Sequence, residues 1–345
     1  MSQLNAPVRE SRPQSVSVQS VSVIGAGIAG TWQALMFAKA GCGVTVYERG
    51  DQAMTLATGH WAGGMLAPYC ESEAAEPLIT RLGLRSLDLW RKELPGTPFN
   101  GSLVVAHARD RADFERFARL ARGHQRIGPD EIAALEPDLA GRFGEALFFK
   151  GEAHVDPRRV LPALHGRLRS AGVPIEFRTA VTSGEVDGLA IDCRGIAARE
   201  DCPGLRGVKG EVVVVETAEI KLSRPVRLIH PRWPLYVVPR QDNRFLIGAT
   251  TIESEDRSVT VRSALELMTA AYAIHPAFGE ARIVEFGAAL RPAFPDNLPR
   301  VAVSNRGISV NGLYRHGFLL APALAEATVA HVLGARTDGE VVRCG

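Results

Sequence analysis

The chain has 345 residues, 46% of them hydrophobic, enough for one large domain or two interleaved ones. With 40 Lys and Arg against 38 Asp and Glu the net charge is +2, which speaks against nucleic acid or an anionic membrane as partner, and no apolar run is long enough to span a bilayer. The five cysteines form no CxxC pair and no Cys/His group with zinc spacing, so no metal is expected and a reducing, cytoplasmic setting is.

Residues 1–17 are polar, lack the apolar stretch of a signal peptide, and read as a flexible tail. Residues 18–24, VQSVSVI, alternate and end in β-branched residues, as a strand does. A turn follows over Gly25, Ala26, Gly27, Ile28, Ala29 and Gly30, then TWQALMFAKAG, a helix stopping at Gly41, then GVTVYE, a second strand ending at Glu48. Gly25 permits the tight turn, Gly27 lets a pyrophosphate approach the backbone, and Gly30 lets the helix pack close to the sheet. The helix N-terminus offers N–H groups to phosphates, and Glu48 stands where an acid accepts from a ribose hydroxyl. The whole unit predicts a dinucleotide site. Arg49 covers the adenine, favours a phosphate or is simply a solvated surface residue.

A nicotinamide dehydrogenase would continue with alternating strands and helices, and this chain does not. MTLATGHWAGGMLAPYCESE is long, glycine-rich and irregular; EPLITRLGLRSLDLWRKEL reads as a helix, GSLVVAHA as a strand and RADFERFARLARG as a helix. DPRRVLPALHGRLRSAG is a further helix and VPIEF a short strand. From about residue 208 the runs KGEVVVVET, PVRLIH, PLYVVPR and RFLIGATT are short and β-like, with QDNR as a hairpin loop, which predicts an antiparallel sheet inserted into an α/β frame. Residues 307–334 return to strand, turn and helix, with Gly312 and Gly317 in the turn. A second helix N-terminus suits an extended cofactor with two ends, and its positive end suits the N1–C2=O edge of a reduced flavin.

The motifs VSVIGAGIAG…VTVYERG, HWAGGMLAP, HVDPRRVLPAL, LRGVKGEVVVVET, LYVVPRQDNRFLIGATT, GAALRPAFPDNLP and LYRHGFLLAP occur in this order. From about residue 18 to 335 the chain resembles the FAD-dependent glycine oxidases of thiamine biosynthesis, in the D-amino acid oxidase and sarcosine oxidase group. The combination YVVPR…GAT…LRP…GFLLAP carries the resemblance; no single element does. It implies an α/β protein with a Rossmann-like FAD-binding domain drawn from residues 18–95, 150–207 and 305–345. An inserted α+β substrate domain, residues 96–149 and 208–304, would be built on a large antiparallel sheet. FAD is expected to be non-covalent, since no cysteine stands in a matching attachment motif.

Such a site must hold a small amino acid by its carboxylate, with its Cα–H over the flavin and its amine neutral. By the resemblance Arg291, in ALRPAFPD, binds the carboxylate, a task suited to arginine's planar fork. It also stands out between the strand IVEFGAAL and a proline; a structural ion pair is the alternative. Arg300 and Arg306 read as surface residues. Tyr236 matches a tyrosine that touches the carboxylate, against a packed core tyrosine as the alternative. Arg315 matches an arginine near the site, and His316, Gly317, Phe318 and Leu319 open the last helix towards the cofactor. Gly63 and Gly64 let their loop run under the isoalloxazine, with Ala62 and Met65 donating backbone N–H groups. Val181 meets the adenine end. IDCRGIAARED departs from the Ala-Gly-Ala-Trp type of many relatives; Gly195 can still pass close to the cofactor, while Arg194 and Arg199 leave the local packing open. Relatives also vary at Thr251, so the choice among glycine, sarcosine and small D-amino acids stays open.

The implied reaction yields an imine, with dioxygen reduced to peroxide. The imine then goes to a 2-oxo acid and ammonia or to thiazole synthesis. A dehydrogenase with another electron acceptor is the alternative, and a homo-oligomer is left open.

Overall fold

The computed structural model describes residues 20–70, 76–229 and 235–344, so the tail read at 1–17 lies outside it. The chain opens with β1 (Ser20–Ile24), α1 (Ile28–Lys39) and β2 (Gly43–Glu48). Next come β3 (Met65–Leu66), α2 (Pro77–Glu93), β4 (Ser102–Val105), α3 (Arg111–Leu120), β5 (Gln125–Ile127), α4 (Pro129–Leu135) and β6 (Ala146–Phe149). Then follow β7 (Ala153–His154), α5 (Pro157–Ser170), β8 (Ile175–Phe177), β9 (Leu189–Asp192), β10 (Arg206–Glu216), β11 (Val226–Leu228), β12 (Leu235–Pro239) and β13 (Arg244–Gly248). The last elements are α6 (Val261–Ile274), β14 (Arg282–Ala293), β15 (Arg300–Ser304), β16 (Gly307–Asn311), α7 (Gly317–Val332) and β17 (Val342–Cys344).

Seven strands form one sheet in the order β17-β15-β16-β9-β1-β2-β8, parallel from β16 to β8. Helices α1 and α7 pack together beside it and are apolar over most of their surface, as helices enclosed by other layers must be. Trp32 of α1 meets Trp90 of α2 edge-on, ring centres 5.0 Å apart, and Trp90 Nε1 donates to Phe318 O of α7 at 3.0 Å. This is the Rossmann-like frame.

The second sheet has eight strands, β14-β10-β13-β12-β11-β4-β6-β5, antiparallel except between β11 and β4. One face packs Val213, Val215, Phe245 and Ile247 against Leu267, Ala271 and Ile274 of α6. The other carries Val212, Leu246 and Ala249, with Trp61 and Tyr236 packed on them. Covered on both faces, β10 carries the apolar run Val212 to Val215. The QDNR hairpin turns through Asp242 and Asn243, both with positive φ (60° and 54°), the turn whose twist matches its strands.

Two segment bounds differ from the sequence reading. Arg300–Ser304, placed before the boundary at 305, pairs with β16 and β17 in the seven-stranded sheet. Arg206 and Gly207, placed before the boundary at 208, already belong to β10 and pair with β14. Among the described residues no helix is long and apolar enough to cross a membrane, and no His, Cys, Asp and Glu cluster is fit for a metal ion.

Candidate active site

A cavity of about 430 Å³ is lined by residues of both sheets, the loop at 56–65 and the turn before α7. At one end lies the glycine turn. Gly25 takes φ +97°, and its N–H donates to Tyr47 O at 2.7 Å, tying β1 to β2. A Cβ at Gly30 would lie 1.8 Å from Gly25 O, so Gly30 serves close packing. Gly27 is different. Its backbone (φ −65°, ψ −178°) is open to any residue, and a Cβ there would meet no atom within 4 Å. Nothing in the chain requires glycine at this position; a phosphate brought onto the turn would.

Glu48 braces this turn: its carboxylate accepts from Ala26 N at 2.9 Å and Gly50 N at 2.7 Å while still lining the cavity. The Ala26 carbonyl accepts from Thr31 Oγ1 and His165 Nε2, both at 2.9 Å. His165, on α5, escaped the sequence reading because it stands 139 residues from the motif it supports. Burial pushes its imidazole below the ordinary value.

Helices α1 and α7 both open at the cavity, through Ile28 and Ala29 and through Gly317, Phe318 and Leu319. Neither has a side-chain cap or an acid in its first turn, whereas α5 and α6 are capped by Asp156 and Thr260. Two uncapped N-termini leave N–H donors and positive dipole ends for an anionic ligand. Arg49 is exposed at the rim and Val181 lines the same end.

In the middle run Ala62, Gly63, Gly64 and Met65. Arg240, present in a quoted motif but given no role, clamps them: Nη2 donates to Gly63 O at 2.7 Å and Nη1 to Val155 O at 3.3 Å. Burial pushes its guanidinium down to about 10. Trp61 lies flat on β14, where a Cβ at Gly287 would come within 1.9 Å of its ring. Arg158 covers that ring at 4.8 Å and pairs with Glu285.

At the far end stand Arg291 and Tyr236. The Arg291 guanidinium lies over Gly210 of β10; a Cβ there would be 2.1 Å from Nη2. Its Nη1 donates to Thr250 O at 2.9 Å. The Tyr236 ring rests on Gly63 and Gly248, where a Cβ would approach Cε2 to 2.8 and 3.2 Å. Arg315 lines the cavity from the turn before α7, moored to β14 by Tyr314 N donating to Pro292 O at 2.9 Å; His316 is the N-cap of α7.

The departure at 192–199 is accommodated locally. Arg194 grips Asp192 (Nε at 3.0 and 3.1 Å, Nη2 at 2.6 Å), and Arg199 pairs with Glu255 at 2.7 Å. Gly195 takes φ +57°, lines the cavity, and its carbonyl accepts from Asn311 Nδ2 at 2.9 Å. Neighbouring Cys193 also lines the cavity, its thiol pushed up by burial and so neutral. Two glycines of the cofactor-facing turns do not line it. Gly30 packs helix on strand, and Gly312, at φ +75°, makes room for Phe294, 2.3 Å from where its Cβ would be. Arg300 also lies elsewhere, over the Phe294 ring and paired with Asp296 at 2.9 Å.

The cavity thus offers a bare glycine turn, an acid at the end of β2, two open helix N-termini and the glycine-bearing loop Ala62 to Met65, all of which fit FAD. The family model described as FAD dependent oxidoreductase (DAO) matches residues 20–331. A protein of Rhizobium etli carried under the provisional name thiamine biosynthesis oxidoreductase ThiO is 51% identical, covering 91% of this chain and 96% of its own. The glycine oxidase of Bacillus licheniformis is 27% identical, covering 90% of this chain and 92% of its own. The crystal structure of glycine oxidase from Geobacillus kaustophilus superposes with a TM-score of 0.77 at 25% identity, covering 92% of this chain and 95% of that one. A match of this extent, to a chain whose cavity is made this way, establishes that the protein belongs to the FAD dependent oxidoreductase family, with FAD as its cofactor.

Proposed function

We propose that the chain oxidises glycine, or a similarly small amino acid, to the imine, with dioxygen as the electron acceptor and peroxide as the second product. The observation that carries this reading is that Arg291 and Tyr236 line the same cavity as the glycine turn. The similarity to a ThiO protein and to glycine oxidases supports it.

Arg291 is suited to hold a carboxylate by charge-assisted hydrogen bonds, and Tyr236 to add a phenolic donor to the same group. Arg315 gives that end of the cavity a second cation. With the carboxylate fixed, the short Cα–N unit of the substrate is held towards the loop at 62–65. That is the work asked of the protein: orientation and exclusion of water. FAD, when bound, supplies the two-electron oxidation of the Cα–N bond. The glycine turn, Glu48, Val181 and Gly195 would hold the nucleotide portion, and Ala62 to Met65 with the first turn of α7 would hold the ring. The imine then either hydrolyses to a 2-oxo acid and ammonia or feeds thiamine biosynthesis, the process named for the ThiO relative.

The test is anaerobic mixing of the FAD-loaded chain with glycine, sarcosine and D-alanine in turn, followed by admission of air. Bleaching by glycine and stoichiometric peroxide on reoxidation are expected. A flavin that none of the three reduces overturns the substrate class. Reduction without peroxide moves the acceptor from oxygen to a carrier.

A further inference from the structure

We infer that Thr250 and Glu211 are positioning residues that aim the Arg291 guanidinium through the carbonyl of Thr250; the inference rests on Arg291 binding the substrate carboxylate, as proposed above. Arg291 stands on β14, and its guanidinium reaches across the side-chain-free Gly210 of β10 to Thr250, just beyond the end of β13. There Nη1 donates to Thr250 O at 2.9 Å, with Lys209 O at 3.4 Å. One edge of the fork is therefore set by where the Thr250 carbonyl sits.

That carbonyl lies at the start of an irregular stretch leading to α6, so its place is held by individual bonds. Thr250 is fully buried and stitched three times to Glu211. Its N–H donates to Glu211 O at 3.2 Å, its Oγ1 accepts from Glu211 N at 2.9 Å, and Oγ1 lies 3.1 Å from Glu211 Oε2. The other carboxylate oxygen of Glu211 accepts from Thr260 N, at the N-cap of α6, at 2.9 Å and lies 3.3 Å from Lys209 Nζ. Lys209 reaches on to Asp256 Oδ2 at 3.2 Å and Ser258 O at 3.1 Å.

Glu211 and Lys209 are 0% and 3% exposed. The desolvation of such a pair roughly cancels its mutual attraction, so stability alone does not explain ions at these two positions. Holding a carbonyl in place for a cation on the opposite face of β10 does. Burial works against charge on Glu211, but hydrogen bonds from Ser263, Thr260, Thr250 and Lys209 outweigh it and keep the carboxylate ionised.

The experiment uses the FAD-loaded full chain. Acetate is titrated against the visible spectrum of the oxidised flavin, and glycine kinetics are measured alongside. Thr250→Val keeps the shape of the side chain and removes the hydroxyl. It should weaken acetate binding about tenfold and raise KM for glycine with kcat moved much less. Thr250→Ser should restore most of the affinity. In an Arg291→Ala background Thr250→Val should cost nothing further in kcat/KM. Glu211→Gln provides a second route to the same shift should Thr250→Val lose its FAD. Affinity for acetate unchanged in both Thr250→Val and Glu211→Gln, or an equal loss with and without Arg291, overturns the inference alone. A parent protein whose flavin responds to neither acetate nor glycine overturns the functional reading and this inference together.

Discussion

The two ends of the cavity rely on the same residue type for opposite reasons. At the nucleotide end Gly27 leaves open space, which no atom of the chain fills. At the substrate end Gly210 leaves space that the chain itself fills, with the Arg291 guanidinium. On the proposed reading the first is a backbone device that the cofactor would complete. The second is a side-chain device completed by a residue 81 positions away on the neighbouring strand. Mutation should separate them: damage at the first empties the protein, and damage at the second leaves it yellow and idle.

Gly27→Val gives the largest effect. The chain tolerates a side chain there in both space and backbone angle, so the variant should fold with an unchanged Tm in the FAD-free state. Yet it should retain no FAD, because the new methyl groups occupy the place of the diphosphate. The visible absorbance of the purified protein and its melting curve decide this. A yellow Gly27→Val protein would end the distinction between the two glycines.

Arg291→Ala probes the other end. FAD content should match the parent, while kcat/KM for glycine falls by about 3–5 kcal/mol, mostly through KM, since the substrate carboxylate loses its counter-ion in a shielded site. Intact kcat/KM with glycine would show that Arg291 is held by its carbonyl contacts for structure only.

A third prediction concerns the ribbon between the two ends. His154 on β7 lies opposite Met65 and is 8% exposed. Burial, with Arg240 and Arg224 nearby, pushes its imidazole down to about 4. Below the ordinary value near 6.5 the unfolded chain takes up a proton that the folded chain refuses. The stability due to neutral burial is therefore complete above about pH 6.5 and is lost as pH falls towards 4, to the extent of about 3 kcal/mol. His154→Gln should flatten the fall in Tm between pH 7 and 4.5 relative to the parent. Parallel curves would clear His154 of that role.

The same contrast explains how much was legible in the sequence. The glycine unit was, because strand, turn, helix and Glu48 are consecutive and their work is local. So were most strands of the second sheet, since alternation and the QDNR turn are short-range signals. Sheet membership was less so. RVAVS alternates as either sheet would have it, and only its pairing with β16 and β17 places it. Gly30 was read as the glycine that lets the helix pack on the sheet, and a Cβ there would strike Gly25 O; Gly312, read as a turn glycine, makes room for Phe294, which no local pattern shows. Arg240, His165, Trp61 and the Glu211–Thr250 pair were missed for a related reason. Each acts on residues distant in sequence, and no local pattern distinguishes a buried arginine that clamps a loop from one on the surface.

The smallest effect tests the pair of readings that the sequence left open for Tyr236. Its ring is packed on Gly63 and Gly248 whether or not the hydroxyl meets a substrate. Tyr236→Phe keeps that packing and removes one hydrogen-bonding group, worth about 1 kcal/mol. If the phenol serves the carboxylate, KM for glycine rises several-fold, acetate binds correspondingly more weakly, and Tm stays within a degree or two of the parent. If it is a core tyrosine with a structural partner, the loss appears in Tm and the kinetics hold. The two outcomes exchange places between the same two measurements, so one variant decides whether the substrate end of the cavity consists of Arg291 alone or of a cation and a phenol acting on one carboxylate.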